Sequence, residues 1–393
     1  MGELTSRERV ALALAHREPD RIPLDLGGTM ATGMHVSTVY KLRQALGLDA
    51  PGIPIKVIEP YQMLGEIGAD LVDVLDVDVV ELPGLMTGFG FPNEGWRDWA
   101  TFDGTPVLVS AGFNIDPEPN GDILMYPEGD KSVPASGRMP QGGWYFDAIM
   151  RQSPFDEEDL KVEDNLEEYQ PIDDSELESL AADAERLHTQ TDKAVVANFG
   201  FTDFSGTGAP SAMALKYPRG IRDIEEWFVS LISRRDHMWA IFDGQCEIAL
   251  ANLARIDRAL GDRIQVICLS FTDFGAQLGP FISPQTYLDL YQPFHRRLND
   301  WIHENTNWKT FIHSCGSVVD LLDAFIDAGF DILNPVQTSA AGMDPAALKR
   351  RFGHKVTFWG GGVDTQHTLP FGSPDDVRRE VHDRLRTFGP GGG

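Results

Sequence analysis

From about residue 190 the chain repeats one unit: a short apolar run, a loop of polar residues and glycine, then an amphipathic helix. The runs Ala194-Val195-Val196-Ala197, Ile264 to Ser270, Lys309 to Ile312, Asp331 to Leu333 and Val356-Thr357-Phe358 read as strands. Between them, Tyr287, Leu290, Tyr291, Phe294, Leu298 and Trp301 share one helical face, and Val377, Val381, Leu385 and Phe388 share another. Ser283-Pro284, Asp344-Pro345 and Ser373-Pro374 each offer a capping oxygen followed by a proline at the first helical position. Thr5 with Glu8 spells a capping box for the first helix. Strict alternation of strand and helix over this length dictates a parallel sheet, open or closed into a barrel. No glycine-rich dinucleotide fingerprint or P-loop follows any strand, so a doubly wound nucleotide fold is disfavoured. The expectation is an α/β chain built as a TIM-type (β/α)8 barrel with insertions in its N-terminal half.

In that half, strands also fit Ile22-Pro23-Leu24-Asp25 and Leu71 to Leu75, and Pro106 to Ser110 with Ile123 to Tyr126 suggests an antiparallel hairpin. Between Asp156 and Glu185 there are fourteen acids and one base, Lys161. This stretch reads as a solvated excursion with one or two short helices. Residues 1–393 are therefore expected to form one barrel domain with an insertion at roughly 95–190.

Composition removes several classes. A formal charge of −27 opposes binding to a phosphate backbone, which needs a basic stripe. No apolar run reaches the roughly 18 residues that span a bilayer. The opening Met1-Gly2-Glu3-Leu4-Thr5 lacks a signal-peptide core, so a cytoplasmic location is expected. Three cysteines, Cys246, Cys268 and Cys315, with no CxxC pair exclude a disulfide framework and a four-cysteine zinc module. Cys246 and Cys268 lie in apolar runs and read as core residues.

Cys315 differs. Four successive strand ends carry Phe271-Thr272-Asp273-Phe274-Gly275-Ala276-Gln277, His313-Ser314-Cys315-Gly316, Asn334-Pro335-Val336-Gln337 and Trp359-Gly360-Gly361-Gly362-Val363-Asp364. In a barrel these ends converge on the catalytic face. His313 and Cys315, at i and i+2, point to the same side and can share a metal; an N/S pair suits Zn2+. The pattern also fits a histidine bonded to a backbone carbonyl beside a buried cysteine. A third ligand must come from elsewhere, with Asp273 and Gln337 as candidates. Asp273 and Asp364 are candidate catalytic carboxylates or loop braces, and Asp78, with Asp73 and Asp76, a carboxylate aimed into the mouth or a polar outer face. Asp25, Gln277, Gln337 and Trp359 are candidate substrate contacts.

These segments, with Gln277 to Pro284, Gly342-Met343-Asp344-Pro345 and the opening Arg7-Glu8-Arg9-Val10 to Ile22-Pro23, strongly resemble the uroporphyrinogen decarboxylase superfamily. The resemblance implies a TIM-type barrel with its cleft at the strand C-terminal ends. One branch decarboxylates porphyrinogens and grips their carboxylates with an arginine pair after the first strand. Gly28 and Thr32 stand at those places here, and Asp25 to Met30 contains no arginine. The other branch comprises cobamide-dependent methyltransferases, which bind zinc through a His-x-Cys pair at this strand end, as His313 and Cys315 would.

The resemblance thus implies a zinc-dependent methyltransferase that moves a methyl group between a cobamide on a separate corrinoid protein and a thiol or small methylated substrate. The alternatives are a carboxy-lyase using Asp78 or Asp273 without metal, and a non-catalytic binding barrel. A homodimer is implied by resemblance only. Relatives place a further ligand near Gln337 and another on a final strand. Here the sequence reaches Gly389-Pro390-Gly391-Gly392-Gly393 where that strand would begin, so the eighth strand–helix unit is expected to be missing or supplied from outside it.

Overall fold

The computed structural model describes residues 4–154, 157–199 and 211–393. Asp156, where the acid-rich stretch begins, lies outside the described residues, as does the Met1–Glu3 start. Six strands, β1 (Val79–Leu82), β2 (Ala194–Asn198), β3 (Val266–Ser270), β4 (Lys309–His313), β5 (Ile332–Asn334) and β6 (Thr357–Phe358), lie side by side in sequence order, all parallel. A doubly wound sheet reverses its strand order; this one does not. Same-handed crossovers in one direction put every helix on one face, so the other face is buried by the curving sheet itself.

The strands alternate accordingly. Val79, Ala194, Val196, Val266, Cys268, Phe311 and Ile332 form an inner cluster. Val195, Ala197, Ile267, Leu269, Ile312 and Leu333 pack outward against the helices. Val10 and Leu14, from the helix Ser6–Leu14, join the inner cluster. That helix is tied to the strand starts: Arg9 bonds Asp78 at 2.7 Å, and the Arg7 N–H donates to the Asp192 carbonyl. It therefore closes the end of the barrel opposite the strand C-termini.

Between β6 and β1 runs the segment Ile22–Asp25. Its Leu24 carbonyl accepts the Asp78 N–H at 2.8 Å, and Asp25 accepts the Trp359 indole N–H at 2.8 Å. The expected strand here is thus not joined into a ladder, as Pro23 lacks a donor. Among the described residues six strands, not eight, form the parallel ladder. After β6 come the helices Thr368–Phe371 and Pro374–Phe388, and the Gly393 N–H donates to the Ala13 carbonyl. All four expected caps form: Thr5, Ser283, Asp344 and Ser373 each accept a backbone N–H in the first turn.

The N-terminal half corrects three expectations. Leu71–Leu75 is not a strand; Ala69–Val74 is helical, because Leu71 and Leu75 meet the same core four residues apart. Pro106–Val109 does not pair with Ile123–Met125. It pairs with Arg97–Ala100 and, in parallel, with Ile55–Glu59, while Ile123–Met125 pairs with Gly137–Met139. These strands enclose a separate core around Val57, Phe89, Phe113 and Phe146, so the β-rich part begins well before residue 95. Finally, most of the acid-rich stretch is barrel, not excursion. The helix Asp174–Gln190 buries Leu180, Ala184 and Leu187 among the barrel helices and leaves most of its acids outward. No described helix is long and apolar enough to cross a membrane.

Candidate metal centre and barrel mouth

β4 ends at His313, and the chain then turns through Ser314-Cys315-Gly316. Gly316 takes φ +80°, and a Cβ there would lie 2.4 Å from the Gly275 backbone, so the turn is packed directly on the loop after β3. That contact brings Asp273 over the turn. Its Oδ1 accepts the Cys315 N–H at 2.6 Å and lies 3.7 Å from His313 Nε2, which is 3.4 Å from Cys315 Sγ. One ligand atom from each of Asp273, His313 and Cys315 falls within 4.8 Å of the others, all half-buried.

The imidazole is oriented from behind. His313 lies in register with Asn334 on β5, and its Nδ1 lies 2.6 Å from Asn334 Oδ1. Because the Asn334 amide nitrogen is committed to the Trp359 carbonyl at 2.7 Å, the facing atom is the oxygen, an acceptor. Nδ1 must therefore carry the proton, which leaves the Nε2 lone pair aimed at Asp273 and Cys315. Ligand atoms about 3.3–3.8 Å apart are what a tetrahedral ion with bonds of about 2.0–2.3 Å requires. The donor set, one imidazole, one thiol and one carboxylate, fits zinc. Burial, with the Asp273 charge and hydrogen bond, pushes the Cys315 thiol up to about 12.

The opposite side of the mouth is acidic. Val79 faces the interior, so Glu81, two residues on, faces it too, nearer the open end. Asp25 lies beside it: a Cβ on Gly28 would meet both Asp25 Oδ1 and Val79 Cγ1 at 2.6 Å. Asp25 accepts N–H bonds from Trp359 and Gly28, each at 2.8 Å. Glu59 accepts from the backbone of Tyr61 and Gln62. Burial and then the charges of Asp25 and Glu59 push Glu81 up to about 7. Burial also raises Asp25 and Glu59, against the hydrogen bonds that favour their charged forms.

Of the candidates, the structure brings Asp273, His313 and Cys315 together, and separately Asp25 and Trp359. Asp78 is a correction. It precedes β1, at the closed end of the barrel, is fully buried, and is clamped by Arg9, Arg21 and the Leu24 N–H. It cannot reach the mouth. Asp73 is exposed on its helix and Asp76 occupies a turn with φ +54°. Asp364 is also corrected to a brace: Oδ1 accepts the Gln366 and His367 N–H groups and Oδ2 faces the His367 ring. Gln337 places its carbonyl oxygen on the Gly316 N–H at 2.9 Å, so it steadies the turn rather than completing the ligand set. Gln277 is exposed, and its backbone carbonyl accepts the Ala341 N–H.

Two residues were missed. Asn334 was legible only through its register with His313, which requires the strand alignment. Glu81 carried a plainer signal, an acid inside the apolar run Val79-Val80-Glu81-Leu82.

The family described as uroporphyrinogen decarboxylase (URO-D) matches residues 148–392, which include β2 to β6 and Asp273, His313 and Cys315. A solved methyltransferase from Methanosarcina mazei is similar in fold, with a TM-score of 0.52 and 15% identity, over 98% of this chain and 90% of that one. No curated protein matches.

Proposed function

The chain belongs to the uroporphyrinogen decarboxylase family, and from that footing we propose that it is a zinc-dependent methyltransferase of the corrinoid-linked kind on a TIM-type barrel. The observation that carries this reading is the convergence of His313 Nε2, Cys315 Sγ and the Asp273 carboxylate, with the imidazole tautomer set by Asn334. His313, Cys315 and Asp273 would hold the ion, and zinc would supply Lewis acidity that favours the thiolate form of a substrate thiol. Asn334 keeps the imidazole proton on Nδ1, Gln337 and Gly316 fix the turn that presents Cys315, and Phe271, stacked on the His313 ring at 5.6 Å, shields it from water. The methyl group would be exchanged with a methyl-cobamide carried by a separate protein and a thiol or small methylated compound.

Porphyrinogen decarboxylation is a poorer match to the residues. A polycarboxylate needs cations, whereas Gly28 and Thr32 occupy the arginine places and Asp25 and Glu81 line the mouth. Elemental analysis of the purified chain and of Cys315→Ser tests the proposal. About one zinc per chain, lost in the variant, is expected. Absence of zinc from both after loading with the metal ion overturns it, and methyl-cobamide demethylation by added thiols is the assay that follows a positive result.

A further inference from the structure

Three carboxyl groups, Asp25, Glu59 and Glu81, share one side of the mouth, and among the described residues no lysine, arginine or histidine acts on any of them. Asp25 and Glu59 are held by N–H donors that hold the carboxylates in place. Glu81 is largely enclosed with part of its surface still open, and among the described residues its carboxylate has no hydrogen-bond or ion-pair partner. Clustered carboxylates without a counter-charge are costly in a protein interior, and the cost is relieved by a proton or by a cation.

The wall beside them has the matching chemistry. Phe271 and Trp359, both partly exposed, flank the fully buried Phe311, their ring centroids 6.5 Å and 5.8 Å from it, and the Trp359 indole bonds Asp25. Aromatic faces next to carboxylates bind organic ammonium groups, which are attracted to the ring quadrupole.

We infer that the mouth takes a substrate bearing an organic ammonium group, seated on Glu81 and Asp25 against the aromatic wall, with its reacting end at Asp273, His313 and Cys315. This names the substrate class of the proposed site and, for a thiol substrate, rests on that reading: the compound is an aminothiol. The absence of arginine between Asp25 and Thr32 then has a positive meaning, because the mouth is built for the opposite charge.

The test uses the full zinc-loaded chain and calorimetric titration with ethyl-, propyl- and butyl-linked aminothiols, each against the hydroxythiol of the same length. The matching aminothiol should bind at least about tenfold more tightly than its hydroxythiol. Glu81→Gln should remove that preference, with a circular dichroism spectrum matching the native chain's certifying the variant's fold. Equal affinity for the two series in the native chain overturns the inference and leaves the thiol reading intact. If neither series binds, the thiol reading fails by itself. Choline against its isostere with carbon in place of nitrogen then decides the ammonium site: a preference abolished by Glu81→Gln supports it, and no preference overturns it.

Discussion

Asp78 immediately precedes one short strand, Glu81 lies near that strand's other end, and the two receive opposite treatment. Asp78, at the closed end, is fully buried between Arg9 and Arg21. Burial raises it, but the bonds from Leu24, Arg21 and Arg9 outweigh that and hold it below the ordinary carboxylate range. Glu81, near the open end, is pushed up to about 7 by burial and then by the charges of Asp25 and Glu59. One end of β1 is organised for the fold and the other for something that must arrive. The comparison shows why a carboxylate's place along a barrel strand says more than its proximity in sequence.

The largest test of the contrast is Asp78→Asn, which leaves two arginines facing a neutral group at the closed end. A loss of about 3–5 kcal/mol in denaturant stability is expected. The native chain should also lose stability as pH falls below the ordinary value of 3.8 through the lowered value of Asp78, and the variant should lose less. Stability of the variant equal to that of the native chain would remove Asp78 from the fold's support.

Glu81→Gln should do the reverse. The folded state keeps a proton that the unfolded state releases above 4.5, so native stability falls from there to about pH 7 and then levels off. The substitution should therefore stabilise the chain above pH 7 by on the order of 2 kcal/mol and have little effect near pH 5. Destabilisation at both values would mean that Glu81 is paired.

Asn334→Ala should lower zinc affinity about 10- to 100-fold with stoichiometry retained, read by competition with a chelating dye. Unchanged affinity would show that the imidazole needs no orienting partner. The smallest effect belongs to Asp364→Ala: about 1 kcal/mol or less from a lost loop brace, with zinc content unaltered. Loss of zinc there would restore Asp364 to the centre.

What was legible in the sequence follows the same divide. β2 to β6 announce themselves because both faces of each strand are covered, giving apolar runs separated by capped helices. His313 and Cys315 are legible because two residues on one strand end need no tertiary information to be neighbours. Asp25 and Trp359 lie 334 residues apart, and only the tertiary fold makes them partners. The N-terminal half misled where local pattern and tertiary pairing compete. Pro106–Val109 has two neighbours, neither of them the run that follows it, and Leu71–Leu75 alternates like a strand while packing at helical spacing. Asp78 misled because its strand begins one residue after it, which reverses the end of the barrel it occupies.

The amide of Asn334 has a consequence of another kind. Its oxygen faces His313, its nitrogen holds the Trp359 carbonyl, and the Trp359 indole holds Asp25. These bonds run across the mouth as one stiff crossbar, and the amide cannot turn over without breaking contact at both ends. The span between the imidazole and the acid is thereby fixed, like the jaws of a gauge set to one width. A ligand that must touch both jaws is selected first by its length, so a homologue shorter or longer by one methylene should be refused even when each of its ends is chemically correct.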